Sequence, residues 1–159
     1  MKILVTGGGG FLGSSICRQL VAAGHEPVAY QRSQAEHLKS IGVQIIRGDI
    51  RDRDAVHSAI SQSEAVIHCA AYAALWGDAQ KFHDINVTGT KNVLDACRST
   101  GVGQVVYTSS PSVVLNGKNM RTFKNAPGSG GGRLRLKINR QSRKAAVSLA
   151  QEIRAKLTQ

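Results

Sequence analysis

Acidic residues are scarce in this chain: ten Asp and Glu stand against 21 Lys and Arg, a formal charge of +11 at pH 7. Aromatic side chains are scarcer still, at 4% of 159 residues. Such an excess of cations invites a polyanionic partner, but it is not spread evenly. Residues 1–116 hold 10 Lys and Arg against 9 acids, whereas residues 117–159 hold 11 against Glu152 alone. That segment offers only Phe123 for stacking on a base and contains no recognition module, so nucleic-acid binding through it is the weaker alternative. Docking of a partner chain on the same tail is a third reading.

Cysteine is equally sparse. Cys17, Cys69 and Cys97 are an odd count, far apart and without a Cys-x-x-Cys pair, which argues against a disulfide framework or a zinc site. No metal is expected, and reduced thiols fit a cytoplasmic compartment. No apolar run approaches the ~20 residues that cross a bilayer, so no membrane partner is expected. The apolar run in MKILVTGGGG is far shorter than a signal-peptide core.

What is present is an alternation of short apolar runs and helical patterns. Lys2–Thr6, Pro27–Gln31, Val43–Arg47, Glu64–Cys69 and Gln104–Ser109 read as strands, rich in Val and Ile and bounded by turn residues. Phe11–Ala23 reads as a helix ended by Gly24, Gln34–Ser40 as a short one, and Asp52–Ser61 as one capped by Asp52. Apolar residues at Phe82, Ile85, Val93, Leu94 and Cys97 make Ala79–Thr100 a long helix with Gly101 after it. Strand and helix repeated in this order imply an α/β fold, a parallel sheet of about five strands with helices on both faces. After Leu115 periodicity is lost and GSGGG reads as a flexible linker. From Ser142 an apolar stripe of Ala146, Leu149, Ala150, Ile153 and Leu157 marks a terminal amphipathic helix. The chain thus divides into a domain, 1–116, and a basic tail, 117–159.

TGGGGFLG lies between the first strand and the first helix, with Gly7, Gly10 and Gly13 spaced G-x-x-G-x-x-G. Glycine there permits a tight turn and brings the backbone within reach of a pyrophosphate, whose charge is met by amides at the helix N-terminus. The strand-to-helix setting makes dinucleotide binding the reading of choice over a plain turn.

In order after that loop come GDI (48–50), HCAA (68–71), NVTGTKNVLDAC (86–97) and YTSSPSVV (107–114). Together these closely resemble the extended short-chain dehydrogenases/reductases. AALWG (73–77) and YTSSPSVV are similar to segments of the branch of 3β-hydroxysteroid dehydrogenases and 2-alkyl-3-oxoalkanoate reductases. The resemblance covers residues 1 to about 118 and implies a Rossmann-type doubly wound sheet, with hydride transfer to or from a hydroxyl or ketone. It implies that Gly7, Gly10, Phe11, Leu12 and Gly13 surround the pyrophosphate and that Asp49 and Ile50 meet the adenine, the carboxylate accepting from its amino group. Ala70 and Ala71 would line the dinucleotide's path, Thr108 and Ser109 would lie near the nicotinamide ribose, and Asn86 would help order the site. Ser110 matches the catalytic serine that hydrogen-bonds the substrate oxygen. Dimers of the family form through two long helices, of which only the first is recognisable here, so a homodimer is an open expectation. Taken alone, Asp49 could be a turn residue and Asn86 a helix-surface amide, while His68, a lone histidine and not a ligand set, reads as a satisfied polar group near a strand end.

At the end of the second strand Gln31 stands where the family often has an acid for the ribose 2′-hydroxyl. Arg32 and Ser33 follow and can accommodate a 2′-phosphate, so NADP is favoured, while Gln31 keeps NAD open.

The family's chemistry also needs a tyrosine followed four residues later by a lysine, because a phenol titrates near ~10 unless a cation depresses it. Tyr30, Tyr72 and Tyr107 are followed at that spacing by Gln34, Trp76 and Pro111. The expectation is therefore the dinucleotide-binding half of an oxidoreductase, catalytically incomplete by itself. The abrupt change of composition near residue 118 suits a truncated or frame-shifted reading.

Overall fold

Short β-branched strands alternating with amphipathic helices bury their apolar faces only if the strands run parallel and the helices cross over them. The computed structural model describes residues 1–74 and 76–109 and shows that arrangement. The chain runs β1 (Lys2–Thr6), α1 (Phe11–Ala22), β2 (Glu26–Gln31), α2 (Glu36–Lys39), β3 (Gln44–Arg47), α3 (Arg53–Ile60) and β4 (Ala65–His68). It continues through α4 (Ala79–His83), a π-helical turn (Asp84–Gly89), α5 (Thr90–Thr100) and β5 (Gln104–Tyr107). Met1–Thr108 form one unit. The expected boundary near residue 116, the linker, the terminal helix and Ser110 lie outside the described residues.

All five strands are parallel, in the order β3-β2-β1-β4-β5. This is the expected doubly wound Rossmann-type sheet. Cys17 of α1 and Leu38 of α2 pack with Ile3, Val5 and Ala29 on one face of it. Val56 and Ile60 of α3 and Val93 and Cys97 of α5 pack with Leu4, Val28 and Val66 on the other. No helix among the described residues is long and apolar enough to cross a membrane.

Local chemistry sets the ends of these elements. Asp52 caps α3 by accepting from the amides of Asp54 and Ala55 at 3.1 and 3.0 Å. Gly101 closes α5 in the left-handed region at φ +76. The long helix differs from the single α-helix expected over Ala79–Thr100, because its middle widens into the π-helical turn. The Thr90 hydroxyl donates to the carbonyl of Asn86 at 2.8 Å, drawing that carbonyl toward a side chain four residues on. Gly89 at the end of the turn lies against Ile50, where a Cβ would come 2.6 Å from its Cδ1. Turns of this type gather at functional sites.

Gly13 sets how closely α1 can approach the loop before it. A Cβ there would collide with the carbonyl oxygen of Gly7 and sit 2.8 Å from the Gly8 Cα. Gly13→Ala is expected to lower the unfolding free energy by about 1–3 kcal/mol, as overpacking against backbone does. Gly103→Ala, with open space around it, is expected to stay within about 0.5 kcal/mol. Urea midpoints of the two variants provide the comparison.

Candidate dinucleotide site

In a doubly wound sheet the chain leaves neighbouring central strands toward opposite faces, and the crevice between the two departures collects ligands. Here it opens at the C-terminal ends of β1 and β4. A cavity of about 310 Å³ lies there, walled by the glycine loop, the ends of β2 and β4 and the loop after β3.

The glycine loop is built to present backbone. Gly7 takes φ +69 and donates its amide to the carbonyl of Tyr30 at 2.8 Å, tying the turn to β2. The amide of Gly10 returns to the carbonyl of Gly7 at 2.9 Å. Helix α1 then begins with no side-chain cap and no acid in its first turn. Its first amides lack helical acceptors, and the positive end of its dipole is left without a counter-charge. An anion supplies both needs.

At the end of β2, Gln31 is buried to 8% exposure. Its Nε2 donates to the carbonyl of Ser33 at 2.9 Å, which fixes the amide orientation. Its Oε1 is buried without a hydrogen-bond partner, although a buried acceptor left empty is costly. Gln31 lines the cavity beside Gly9, Arg32 and Ser33, and the last two are exposed.

The loop after β3 carries Asp49 and Ile50. Both Asp49 carboxylate oxygens are engaged by Arg51: Oδ1 accepts from the backbone N–H at 2.9 Å and from Nε at 3.0 Å, Oδ2 from Nη2 at 2.8 Å. These hydrogen bonds from Arg51 hold the carboxyl below its ordinary value of 3.8. Three successive carbonyls of the loop are held from other elements. Tyr30 donates to that of Asp49 at 3.1 Å, and Asn92 of α5 donates to those of Ile50 and Arg51, each at 3.0 Å.

Under the β4 end, His68 joins three segments. Its Nδ1 lies 2.6 Å from the Thr6 hydroxyl and its Nε2 lies 3.0 Å from that of Thr90. Because Thr90 gives its proton to the Asn86 carbonyl, it accepts from Nε2–H, and Nδ1 accepts from Thr6. Thr6 in turn receives the amides of Cys69 and Ala70, both at 3.2 Å. Thr108 donates its amide and its hydroxyl to the His68 carbonyl, each at 3.1 Å. Burial pulls the ring down from 6.5 to about 4, so it is neutral in the folded chain. Nearby, Asn86 clamps Tyr72 in both directions, accepting from its amide at 2.7 Å and donating to its carbonyl at 3.1 Å.

Gly7, Gly10, Arg32, Ser33, Asp49, Ile50, Ala70 and Ala71 thus share one cavity. Phe11 and Leu12 are exposed at the start of α1, and Gly13 is buried beneath the loop. Asn86 and Thr108 lie behind the wall, bonded to backbone; Ser109 is exposed, and Ser110 lies outside the described residues. Arg51, Asn92, Thr6 and Thr90 were not foreseen. Asn92 carried a signal, since positions 85, 89, 92 and 96 form one helical stripe and an amide on a buried stripe requires buried partners.

A model of the 3-beta hydroxysteroid dehydrogenase/isomerase family matches residues 4–129. A 2-alkyl-3-oxoalkanoate reductase of Stenotrophomonas maltophilia (strain K279a) is 52% identical over 113 residues, 71% of this chain and 34% of that protein. A 3 beta-hydroxysteroid dehydrogenase/Delta 5-->4-isomerase of Mycobacterium tuberculosis is 35% identical over 126 residues, 75% of this chain and 34% of that protein. Among solved structures, the UDP-glucose 4-epimerase of Thermus thermophilus in complex with NAD superposes with a TM-score of 0.62 at 33% identity, over 69% of this chain and 38% of that one. A short-chain dehydrogenase/reductase superfamily protein from Agrobacterium tumefaciens with bound NAD gives 0.65 at 29% identity, over 72% and 34%. The chain spans about a third of the length of these curated relatives.

The His68 junction has a pH signature. The unfolded chain protonates this ring below 6.5 and the folded chain only near 4. Between those values protons favour unfolding, so its contribution is complete above pH 6.5 and is lost as pH falls toward 4. Urea unfolding is expected to give about 2 kcal/mol less stability at pH 5 than at pH 7 from this group, a difference that His68→Gln removes.

Proposed function

Because this chain belongs to the 3-beta hydroxysteroid dehydrogenase/isomerase family, we propose that its first 116 residues are the nicotinamide-dinucleotide-binding part of an oxidoreductase acting on a hydroxyl or ketone. The observation that carries this reading is the cavity at the β1/β4 crevice, walled by the glycine loop from which α1 begins without a side-chain cap or an acid in its first turn. Those features fit a dinucleotide. The amides of Phe11, Leu12 and Gly13 meet its pyrophosphate, Asp49 and Ile50 its adenine, and Ala70 and Ala71 the stretch leading to the nicotinamide. When bound, such a group donates or accepts a hydride at its nicotinamide ring. The chain's own residues hold it and exclude water from one side.

At the ribose, Arg32 and Ser33 stand free to receive the 2′-phosphate of NADP. A second reading rests on Gln31. With Nε2 committed to Ser33, the side chain offers only an acceptor, which fits the 2′-hydroxyl of NAD and not a phosphate.

Ser110 is the residue proposed to hydrogen-bond the substrate oxygen. No tyrosine follows it within these 159 residues, so they supply no phenol of their own for proton exchange with that oxygen.

Calorimetric titration of the chain with NADPH and NADH is expected to show binding. Arg32→Ala is expected to weaken NADPH by about tenfold or more, the worth of one charged hydrogen bond, while leaving NADH within about twofold. Tighter binding of NADH by the unaltered chain would place the ribose with Gln31 instead. Oxidation of NADPH by these 159 residues in the presence of a ketone is expected to stay at background, and a rate well above it would mean that another group serves that oxygen.

A further inference from the structure

A carboxylate that selects one base over another must present its free lone pair in a fixed direction, because an exposed aspartate samples several rotamers. Asp49 is held by Arg51, two residues on. Three donors of Arg51 reach it, two on Oδ1 and one on Oδ2, which leaves Oδ2 the less occupied oxygen. The fork of Nε and Nη2 across the two oxygens fixes the plane of the carboxylate. The backbone that carries the pair is held as well, since Asn92 bridges the carbonyls of Ile50 and Arg51 from inside the core and is itself only 9% exposed. Ile50 is pinned from behind by the π-helical turn at Gly89. Asp49 and Ile50 line the cavity, whereas Arg51 and Asn92 do not. The pairing with Arg51 also keeps the Asp49 carboxyl ionised, and hence acceptor-only, to lower pH than an isolated aspartate.

We infer that Arg51 and Asn92 are positioning residues which aim the free acceptor of Asp49 into the cavity, so that the site takes a 6-aminopurine dinucleotide in preference to its 6-oxopurine counterpart. A 6-amino group donates to that acceptor. A 6-oxo group is an acceptor itself and is turned away, leaving a buried mismatch. This rests on the reading of Asp49 as the partner of adenine. It goes beyond that reading by placing the selectivity in two side chains that touch no ligand.

The test is calorimetric titration of the full 159-residue chain with NADH and with reduced nicotinamide hypoxanthine dinucleotide. The unaltered chain is expected to bind NADH tighter by about tenfold or more, the worth of a hydrogen bond to a charged acceptor. In Arg51→Met, whose side chain is half exposed and whose loss should spare the fold, the ratio is expected to fall to within about twofold. Arg51→Lys restores the charge without the fork and is expected to lie between. Asn92→Ser tests the second residue, with the ratio again reduced and its thermal transition retained. A purely structural role would weaken both dinucleotides equally and keep their ratio, and that result in Arg51→Met would overturn the inference alone. Equal binding of the two by the unaltered chain would instead overturn the role of Asp49 itself, and binding of neither would overturn the dinucleotide site.

Discussion

The seat of α1 on the glycine loop is the constraint on which everything else depends. The helix can start where it does only because position 13 carries no side chain, so that its first turn rests against the carbonyl of Gly7. Gly7 in turn adopts a backbone conformation that a Cβ would oppose, and bonds across to β2. From this contact follow the direction of the helix axis, the exposure of its first amides and the mouth of the cavity. An ordinary capping residue at Gly10 would satisfy the same amides internally and close the site to an anion.

Around that seat the protein uses buried polar groups to hold backbone. His68 links β1, β4 and the helix that follows β4; Asn86 clamps Tyr72; Asn92 and Tyr30 hold the loop after β3. Each lies behind the cavity wall or at its edge, and each bonds to main chain or to a hydroxyl that does. Such networks are worthwhile only when complete. The exception among the described residues is Gln31 Oε1, buried beside Gly9.

Much of this was legible in the sequence. The five strands follow from Val and Ile runs bounded by turn residues, and each observed strand falls within one or two residues of its expected limits. The Asp52 cap and the stop at Gly101 follow from side-chain chemistry and positive φ. The cavity brings together six of the residues that the family resemblance implied, with Arg32 and Ser33 from the end of the second strand, although Phe11 and Leu12 offer backbone and not side chains. The π-helical turn was not legible, because it arises from a long-range contact of Gly89 with Ile50 and from a threonine hydroxyl competing for a carbonyl. The Arg51 fork was missed for a related reason. An Asp-x-Arg spacing is common on surfaces, and only the fold shows that this one stands at a cavity edge.

The central claim is that main-chain amides at the start of α1 grip a diphosphate. Amide hydrogen exchange of the chain with and without ADP-ribose, which carries the adenine and both phosphates but no nicotinamide, tests it most directly. Slowed exchange at Phe11, Leu12 and Gly13, together with the loop at 48–51, is the result this account predicts. Unchanged exchange at those amides, or protection confined to residues 117–159, would contradict it.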